Sequence, residues 1–582
     1  MTEHEQAFTI AILSSFTARG VEEAVRLACQ ESGLPYRTYL GGYNQYGQEI
    51  LDPQSRLYAF EPLLVILFLD TRSILGDYYF HPYVMSDSDR RQWAENKIQE
   101  ISSLVEAIKR YSSATVLLHN FEVPVYSPLG ILEHKQPFGF KESIELLNAK
   151  LRESFKDDFR VFLFDYDAFC ANIGKRHILD SKMYYLGDIK LHTRHLPELA
   201  RAYTAYIKPM LRQTKKCVVL DLDNTVWGGI LGEDGIEGIT VGPTPGGRPF
   251  WEFQKSLLAL YHRGVILAVN SKNNFDEVAK VFSQHSYMVL REQHFAAMRI
   301  NWEDKVANMR SLAKEIGIGL DSMVFIDDDP VNRTMMKEYL PEVMVVDLPN
   351  DPSLYVKTLQ ELDVFNVLQL TEEDWERGLM YVQQRQRKAF EVSATDITEY
   401  LLGLQITVVI ELATTMTIPR IAQLTQKTNQ FNMTTRRYSE DEIRRFSQDG
   451  AHLIVSIKAS DKFGEHGTIG AAIVETGRKS WRIDTFLLSC RVIGRRIEEA
   501  LLVYIIEQAR TSGVRTIVGE FIPTKKNSPA KDFYKKNGFV CTESVDSGQR
   551  WEYDVRVQSY PYPDCITVLT GETPTVWAQT TT

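Results

Sequence analysis

The stretch CVVLDLDNTVWGG, from Cys217 to Gly229, constrains this chain more than any other. Its apolar run reads as a buried strand, yet it ends in Asp221 and Asp223, followed at once by Asn224, Thr225 and the pair Gly228–Gly229. Two carboxylates that close repel each other and are costly to bury unless something neutralises them, and a metal ion is the obvious candidate. A strand's period of two points both the same way unless the chain turns there, as Asn224 and Gly228 suggest. Such an ending suits the carboxyl edge of an open α/β sheet, where ligands bind.

The surrounding sequence supplies that sheet. After CVVLDLD come the helix-like FWEFQKSLLALYHRG, the strand VILAVNSKNN, a helix from Phe275, then MVFIDDDP and VMVVDLP, closing a unit near residue 355. Its other stretches also end in polar residues: Asn270, Ser271 and Lys272 after VILAV, Lys305 before a helix in NWEDKVANM, and Asp327, Asp328 and Asp329 after MVFI. Upstream, FTIAILSS, PLLVILFLD, ATVLLHN and RVFLFDYD read as buried strands with amphipathic helices between them, which implies a first parallel sheet. Downstream, the charged stretch TEEDWERGLMYVQQRQRKAFE reads as a helical connector. QITVVIELA, AHLIVSIKA, TIGAAIVETG and SWRIDTFLLSC then follow with few helices between them, an α+β pattern with a largely antiparallel sheet.

The chain of 582 residues is too long for one core. The expected organisation is an α/β protein of three units: residues 1–212, 213–355 and 396–558, with a helical connector over 356–395 and a Pro- and Thr-rich, poorly ordered tail over 559–582. A net charge of −10 gives no electrostatic reason to expect nucleic acid as a partner. The longest apolar runs fall short of a membrane span, and the opening MTEHEQ is too polar for a signal peptide, so the expected location is the cytoplasm. Six scattered cysteines without a CxxC pair indicate neither a zinc site nor a disulfide framework.

Taken together, the strand-end motifs resemble those of the haloacid dehalogenase superfamily of phosphotransferases. The resemblance implies that Asp221 is the nucleophile, Asp223 the general acid and base, Ser271 a phosphoryl ligand and Lys305 a charge balancer. It also implies Mg²⁺ held by Asp327 and Asp328 with Asp221 and Asp223, and phosphate contacts from Asn224, Thr225, Asn270 and Lys272. The interval between the first two strands of this unit leaves little room for a cap, so a partner or another domain is expected to cover the site.

The longer pattern DLDNTVWGGILGEDG, with NSKNN, NWEDK, FIDDDP and QLTQKTNQFNMTTRRY, is similar to the FkbH-like family. That family's architecture implies an SGNH-hydrolase-like, flavodoxin-like first domain, a Rossmann-like phosphotransferase core with a minimal cap, and a C-terminal domain like the GCN5-related acyltransferases. Its reaction implies a small phosphorylated three-carbon substrate, 1,3-bisphosphoglycerate, and an acyl carrier protein whose phosphopantetheine receives a glyceryl unit in polyketide-type metabolism. The family usually reads DDNP or DDSP where this chain has Asp328, Asp329 and Pro330, and Asn332 replaces a common Glu. Asp329 is therefore expected to tighten metal or repel a bisphosphorylated substrate.

In LLSCRVIGRRIEEALL, Cys490 follows a strand, precedes a helix and lies beside Arg491, Arg495 and Arg496, a setting that favours a thiolate able to accept an acyl group. The alternative is a small buried cysteine. Arg491, Gly494, Arg495 and Arg496 also resemble a pyrophosphate loop suited to phosphopantetheine, although Arg496 stands where Gly or Ala is usual. Asn429, Gln430 and Asn432 either orient a polyol or cap turns. Tyr534 suits an acid or simple packing, and His466 in DKFGEHG reads as a surface histidine. Ser14 or Ser15 with His192 or His195 would be a hydrolase pair, though a docking or structural role is the stronger expectation for that region. Two rival functions remain: a Mg²⁺-dependent phosphatase without acyl transfer, and a noncatalytic carrier-docking scaffold.

Overall fold

The computed structural model describes residues 7–211, 213–370, 372–524, 526–545, 548–556 and 560–571. The chain divides into two compact units, residues 1–216 with 353–373, and residues 217–352 with 374–582.

The first unit is a five-stranded sheet of β1 (Phe8–Ser14), β2 (Tyr36–Leu40), β3 (Leu64–Phe68), β4 (Thr115–His119) and β5 (Val161–Phe164). All its pairings are parallel and the order is β2-β1-β3-β4-β5, as a flavodoxin-like unit requires. Four helices cover it: α1 (Arg19–Glu31), α2 (Asp87–Tyr111), α3 (Phe140–Phe155) and α4 (Leu196–Met210). Apolar residues of α2 and α3 form the core on one face, those of α1 and α4 on the other. Covered on both faces, β1 and β3 are buried throughout, which is why they read as continuous apolar runs. Residues 353–373 return to this unit, where Lys208 pairs with Asp363 at 2.8 Å.

In the second unit, β6 (Cys217–Leu220), β7 (Ile266–Ser271), β8 (Phe295–Ile300), β9 (Met323–Ile326) and β10 (Met344–Val345) make a parallel sheet of order β10-β9-β6-β7-β8. The chain runs outward one way from β6 through β7 to β8, then crosses back to β9. The topological switch point therefore lies between β6 and β9, and a crevice at their carboxyl ends follows from the winding. Around it are α5 (Arg248–His262), α6 (Phe275–Gln284), α7 (Lys305–Ile316) and α8 (Pro330–Tyr339). Between β6 and α5 the described chain forms only a short helical segment, Leu231–Gly238, and turns. This is the minimal insertion expected.

The helix α9 (Glu372–Ser393) leads to a mixed sheet of β11 (Ile406–Leu412), β12 (Phe431–Asn432), β13 (His452–Asp461), β14 (Gly464–Thr476), β15 (Ser480–Leu488), β16 (Thr516–Phe521), β17 (Val540–Val545), β18 (Gly548–Asp554) and β19 (Ile566–Thr570). Most pairings are antiparallel, but β15 pairs with β16 in parallel across α10 (Ile497–Thr511). α10 buries Leu501, Leu502 and Ile505 completely, each such side chain stabilising the domain by about 1.5–3 kcal/mol. The pairing of β15 with β16 stops at Ile483 and Gly519, and β15 continues against β12. The strands thus separate just before the Cys490 loop. The tail expectation needs correction in part: Ile566–Thr570 extends this sheet as β19, parallel to β11, because its β-branched residues find an open edge, while residues 572–582 lie outside the described residues. Among the described residues no helix is long and apolar enough to cross a membrane.

Candidate functional site

The carboxyl ends of β6, β7 and β9 and the start of α7 converge on one charged centre. Lys305 is delivered as the first residue of α7, because the Asp304 side chain caps that helix, accepting from Val306 N and Ala307 N at 2.9 Å each. The Lys305 Nζ lies 2.9 Å from Asp221 Oδ1 and donates to Asp327 Oδ2 at 2.7 Å. Burial opposes the charge of Lys305, but the two carboxylates outweigh burial and raise its pKa. Asp327 is fully buried, and burial together with Asp221 pushes its carboxyl above the usual range against the pull of Lys305. Burial, then Asp221 and Asp327, raise Asp328 to about 6. Oxygens of Asp221, Asp327 and Asp328 all lie within 4.8 Å of one another. With every carboxylate ionised, Lys305 leaves a net deficit of two positive charges. A hard divalent cation with oxygen ligands fits that deficit.

The Asp223 carboxylate lies outside this cluster of three. The chain turns immediately after Leu222, with Asn224 in the left-handed region at φ 52°. Asp223 Oδ1 consequently accepts from Trp227 Nε1 at 2.9 Å and Leu231 N at 3.1 Å, and Oδ2 from Asn273 Nδ2 at 3.0 Å. Its carboxylate is thus held by three donors.

The expected phosphate contacts separate into distinct roles. Ser271 is buried at the end of β7, within 3.3 Å of Asn273 Nδ2. Thr225 joins two loops, its Oγ1 accepting from Asp328 N at 3.1 Å. Asn224 Oδ1 accepts from Gly229 N at 2.9 Å and fixes the turn, while Asn270 Nδ2 donates to Lys305 O at 2.8 Å and fixes the start of α7. The Asn270 Oδ1 is buried without a partner among the described residues. Lys272 is exposed. Asp329 caps α8, accepting from Val331 N at 2.9 Å, while its own N–H donates to Asp327 Oδ1 at 2.9 Å. Asn332 Nδ2 also reaches Asp327 Oδ1, at 3.3 Å. Sequence reasoning missed Asn273 and Arg333. Arg333 donates to the carbonyls of Asp327 and Asp328 at 2.8 and 2.6 Å and so fixes the loop that carries both carboxylates. The only sequence signal for either was its nearness to a motif.

The C-terminal loop begins where Ser489 N donates to Ile469 O at 2.6 Å, and Cys490–Val492 then forms one short 3₁₀ turn. The Cys490 side chain lies outside the described residues. Gly494 and Arg496 both take positive φ, 83° and 62°, and Arg496, as a non-glycine residue, holds that conformation at some strain. Its guanidinium pairs with Glu499 at 2.8 Å. Arg491 NH1 reaches Met380 Sδ at 3.0 Å. Arg495 corrects the expectation of an open phosphopantetheine contact: it is buried, with NH1 3.1 Å from His466 Nε2 and 3.5 Å from Asp461 Oδ2. His466 is likewise buried, not a surface histidine, and burial lowers its pKa.

The amides of QLTQKTNQFNMTTRRY are placed variously. Asn432 is fully buried, donating to Thr428 O at 3.2 Å and accepting from Thr435 N at 2.8 Å. Asn429 accepts from Arg437, and Gln430 is exposed. Of the three, Asn432 holds a turn. Tyr534 is buried with its hydroxyl unpartnered among the described residues. In the first unit Ser14 Oγ donates to Phe16 O at 2.7 Å and Ser15 Oγ accepts from Asp70 N at 2.9 Å. His192 and His195 are both engaged by Arg194. Among the described residues, no hydrogen bond joins either serine to a histidine.

Residues 9–208 match the family model described as FkbH, N-terminal domain. The N-terminal part of the protein BF1531 from Bacteroides fragilis, a crystal structure containing a phosphatase domain complexed with Mg, is 30% identical. It aligns over 62% of this chain and 95% of its own length with a TM-score of 0.57. The ribosomal-protein-S18-alanine N-acetyltransferase from Escherichia coli aligns over 25% of this chain and 94% of its own at 16% identity, TM-score 0.21. No curated protein matches. By its N-terminal match and its likeness to the Bacteroides protein over nearly that protein's whole length, the chain belongs to the FkbH-like family and carries a phosphatase of the haloacid dehalogenase type.

Proposed function

We propose that this enzyme dephosphorylates 1,3-bisphosphoglycerate and loads the glyceryl unit, through a thioester on Cys490, onto the phosphopantetheine of an acyl carrier protein. The observation that carries the phosphatase part is the joint placement of Asp221, Lys305, Asp327 and Asp328 at the switch point between β6 and β9. Mg²⁺ fits the three carboxylates, and the Bacteroides relative's structure is complexed with Mg. When bound, the ion would neutralise carboxylates and phosphoryl oxygens at once.

Asp221 attacks the phosphorus of the 3-phosphate, a phosphoryl bond to the carboxylate forms, and the bond to the sugar-acid oxygen breaks. Asp223, held by Trp227, Leu231 and Asn273, gives the leaving oxygen its proton and then takes one from the water that releases phosphate. Lys305 balances charge, and Ser271 faces the phosphoryl oxygens. The 1-phosphate is handled differently, because it activates a carbonyl. A Cys490 thiolate attacks that carbon, the bond to the phosphate oxygen breaks, and the acyl group stays as a thioester, ready for transfer to the carrier thiol. Support for this second half is the family membership and the loop at the carboxyl end of β15, closed by the N-terminus of α10.

The test is incubation with 1,3-bisphosphoglycerate, Mg²⁺ and candidate carriers, followed by intact-protein masses of every species. Asp221→Asn, nearly isosteric, is expected to abolish phosphate release from the 3-position while the fold is kept. Phosphate release at the parent rate would refute the phosphatase assignment. Phosphate release without any acyl adduct would leave a Mg²⁺-dependent phosphatase alone.

A further inference from the structure

One buried charged cluster has no part in the chemistry above. Arg387, on α9, makes a two-pronged contact with Asp461 at the end of β13, Nε to Oδ2 at 2.7 Å and NH2 to Oδ1 at 2.9 Å. Asp461 Oδ2 also meets His466 Nε2 at 2.9 Å and Arg495 NH1 at 3.5 Å. The Asp461 carboxylate is wholly buried, and Arg387, His466 and Arg495 are buried with it. Two guanidiniums therefore share the Asp461 carboxylate, and Tyr400 and Glu391 also favour the charge of Arg495.

The two guanidiniums come from very different places. Arg495 lies in the loop that begins at Cys490, whereas Arg387 lies on a helix anchored to the phosphatase half. Arg385 of α9 reaches Glu292 Oε1 at 3.2 Å, Lys388 donates to Glu315 O at 3.2 Å, and a Cβ at Gly378 would fall 2.4 Å from a Tyr261 ring carbon, so the helix backbone rests on that ring. On its other side α9 holds the β13–β14 hairpin: Phe390 packs on Phe463 with centroids 5.9 Å apart, and Lys462 Nζ lies 3.1 Å from the Phe390 ring centre. Gly464, at φ 139°, leaves space that Gln383 fills. The loop touches α9 again through Arg491 and Met380.

We propose that Asp461 is a positioning residue for the acyl-transfer centre, joining the Cys490–Arg496 loop to α9 through Arg387 and Arg495. Without the carboxylate, two buried guanidiniums face each other and repel. α9 is anchored along its length by the phosphatase half, so the loop is the part that yields. This proposal rests on the reading of Cys490 as the acyl-accepting thiol.

The experiment uses the full chain with Asp461→Asn and with Arg387→Lys, which keeps the charge but loses the two-pronged contact. Three quantities are measured: Mg²⁺-dependent hydrolysis of para-nitrophenyl phosphate, the rate of Cys490 alkylation by iodoacetamide read from peptide masses, and the Cys490 acyl adduct. Hydrolysis should stay within about twofold, since the Asp221 centre shares no partner with Asp461. Alkylation and adduct formation should change by about tenfold or more in Asp461→Asn, and by a smaller factor in the same direction in Arg387→Lys. A merely fold-stabilising cluster would lower the melting temperature and leave the alkylation rate of the folded protein alone. Parental alkylation and adduct rates in folded Asp461→Asn would overturn the proposal, and so would failure of both variants to fold. If instead Cys490→Ala still carries the adduct, the Cys490 reading has failed, whatever Asp461 does.

Discussion

At the scale of single residues, Lys305 is the most exacting position, because one ammonium serves two buried carboxylates, Asp221 and Asp327. Lys305→Met keeps the length of the side chain and removes the charge. Breaking a buried ion pair from one side costs about 3–5 kcal/mol, mostly the penalty of the carboxylates left behind. The expected outcome is a urea midpoint lowered to match and loss of phosphate release. Added Mg²⁺ should recover part of the stability, since it answers the same charge deficit, and none of the turnover. An unchanged midpoint would mean that the carboxylates do not depend on Lys305. The grouping of Asp221, Lys305 and the Asp327–Asp328 loop was legible in the sequence because each ends a strand or opens a helix, where the winding of the sheet fixes their direction. The exact partners of Asp223 were not, because the turn after Leu222 redirects that carboxyl toward Trp227 and Asn273.

At the scale of elements, capping explains a departure from the family pattern. Asp329 stands where Asn or Ser is usual, and all three side chains can cap a helix. Since its carboxylate accepts from Val331 N at the start of α8, Asp329→Asn should leave stability within about 0.5 kcal/mol. The KM for a bisphosphorylated substrate should change by less than about twofold. A large fall in KM would show that the extra charge repels substrate after all. In the first unit, Glu122 follows β4 and is raised to about 7, chiefly by burial and secondarily by Asp70 and Asp167 against the pull of Lys175. A carboxyl raised on folding binds more protons in the native state between its unfolded value and about 7, so stability should fall as pH rises through that window and level off above it. Glu122→Gln should flatten that part of the stability curve and stabilise the protein at pH above 7, as urea titrations at several pH values would show. A wild-type curve that rises across the window would contradict the burial argument. The two parallel sheets were legible from their apolar runs. The edge strand β19 was not, because five residues in a Pro- and Thr-rich segment give too short a period to separate from coil.

At the scale of the whole molecule, the proposed function joins two ways of handling a phosphate group, and the difference between them gives the clearest test. In that proposal the Asp221 centre acts on phosphorus and by itself yields only hydrolysis. An acyl phosphate is activated at carbon, so only a second nucleophile can keep its acyl group. The contacts of the buried cluster beside the Cys490 loop, Arg387 with Asp461 and Arg495 with His466, join residues 74 and 29 positions apart, and no local pattern in the sequence announces them. If the protein loads glyceryl units, Cys490→Ala should divide the functions: the enzyme-bound acyl adduct and carrier loading vanish, while phosphate release from the 3-position and the fold persist. Cys490→Ser should trap an oxygen ester, because such an ester passes to a carrier thiol less readily than a thioester does. Intact masses of protein and carrier after addition of 1,3-bisphosphoglycerate decide the matter. An adduct that survives in Cys490→Ala, or that maps to Cys29, Cys170, Cys217, Cys541, Cys565, Ser14 or Ser15, would move the acyl-accepting group elsewhere and leave the aspartate centre standing. Three of those alternatives are poor nucleophiles on physical grounds, since burial raises the thiols of Cys29, Cys170 and Cys217 and a thiol must ionise to attack.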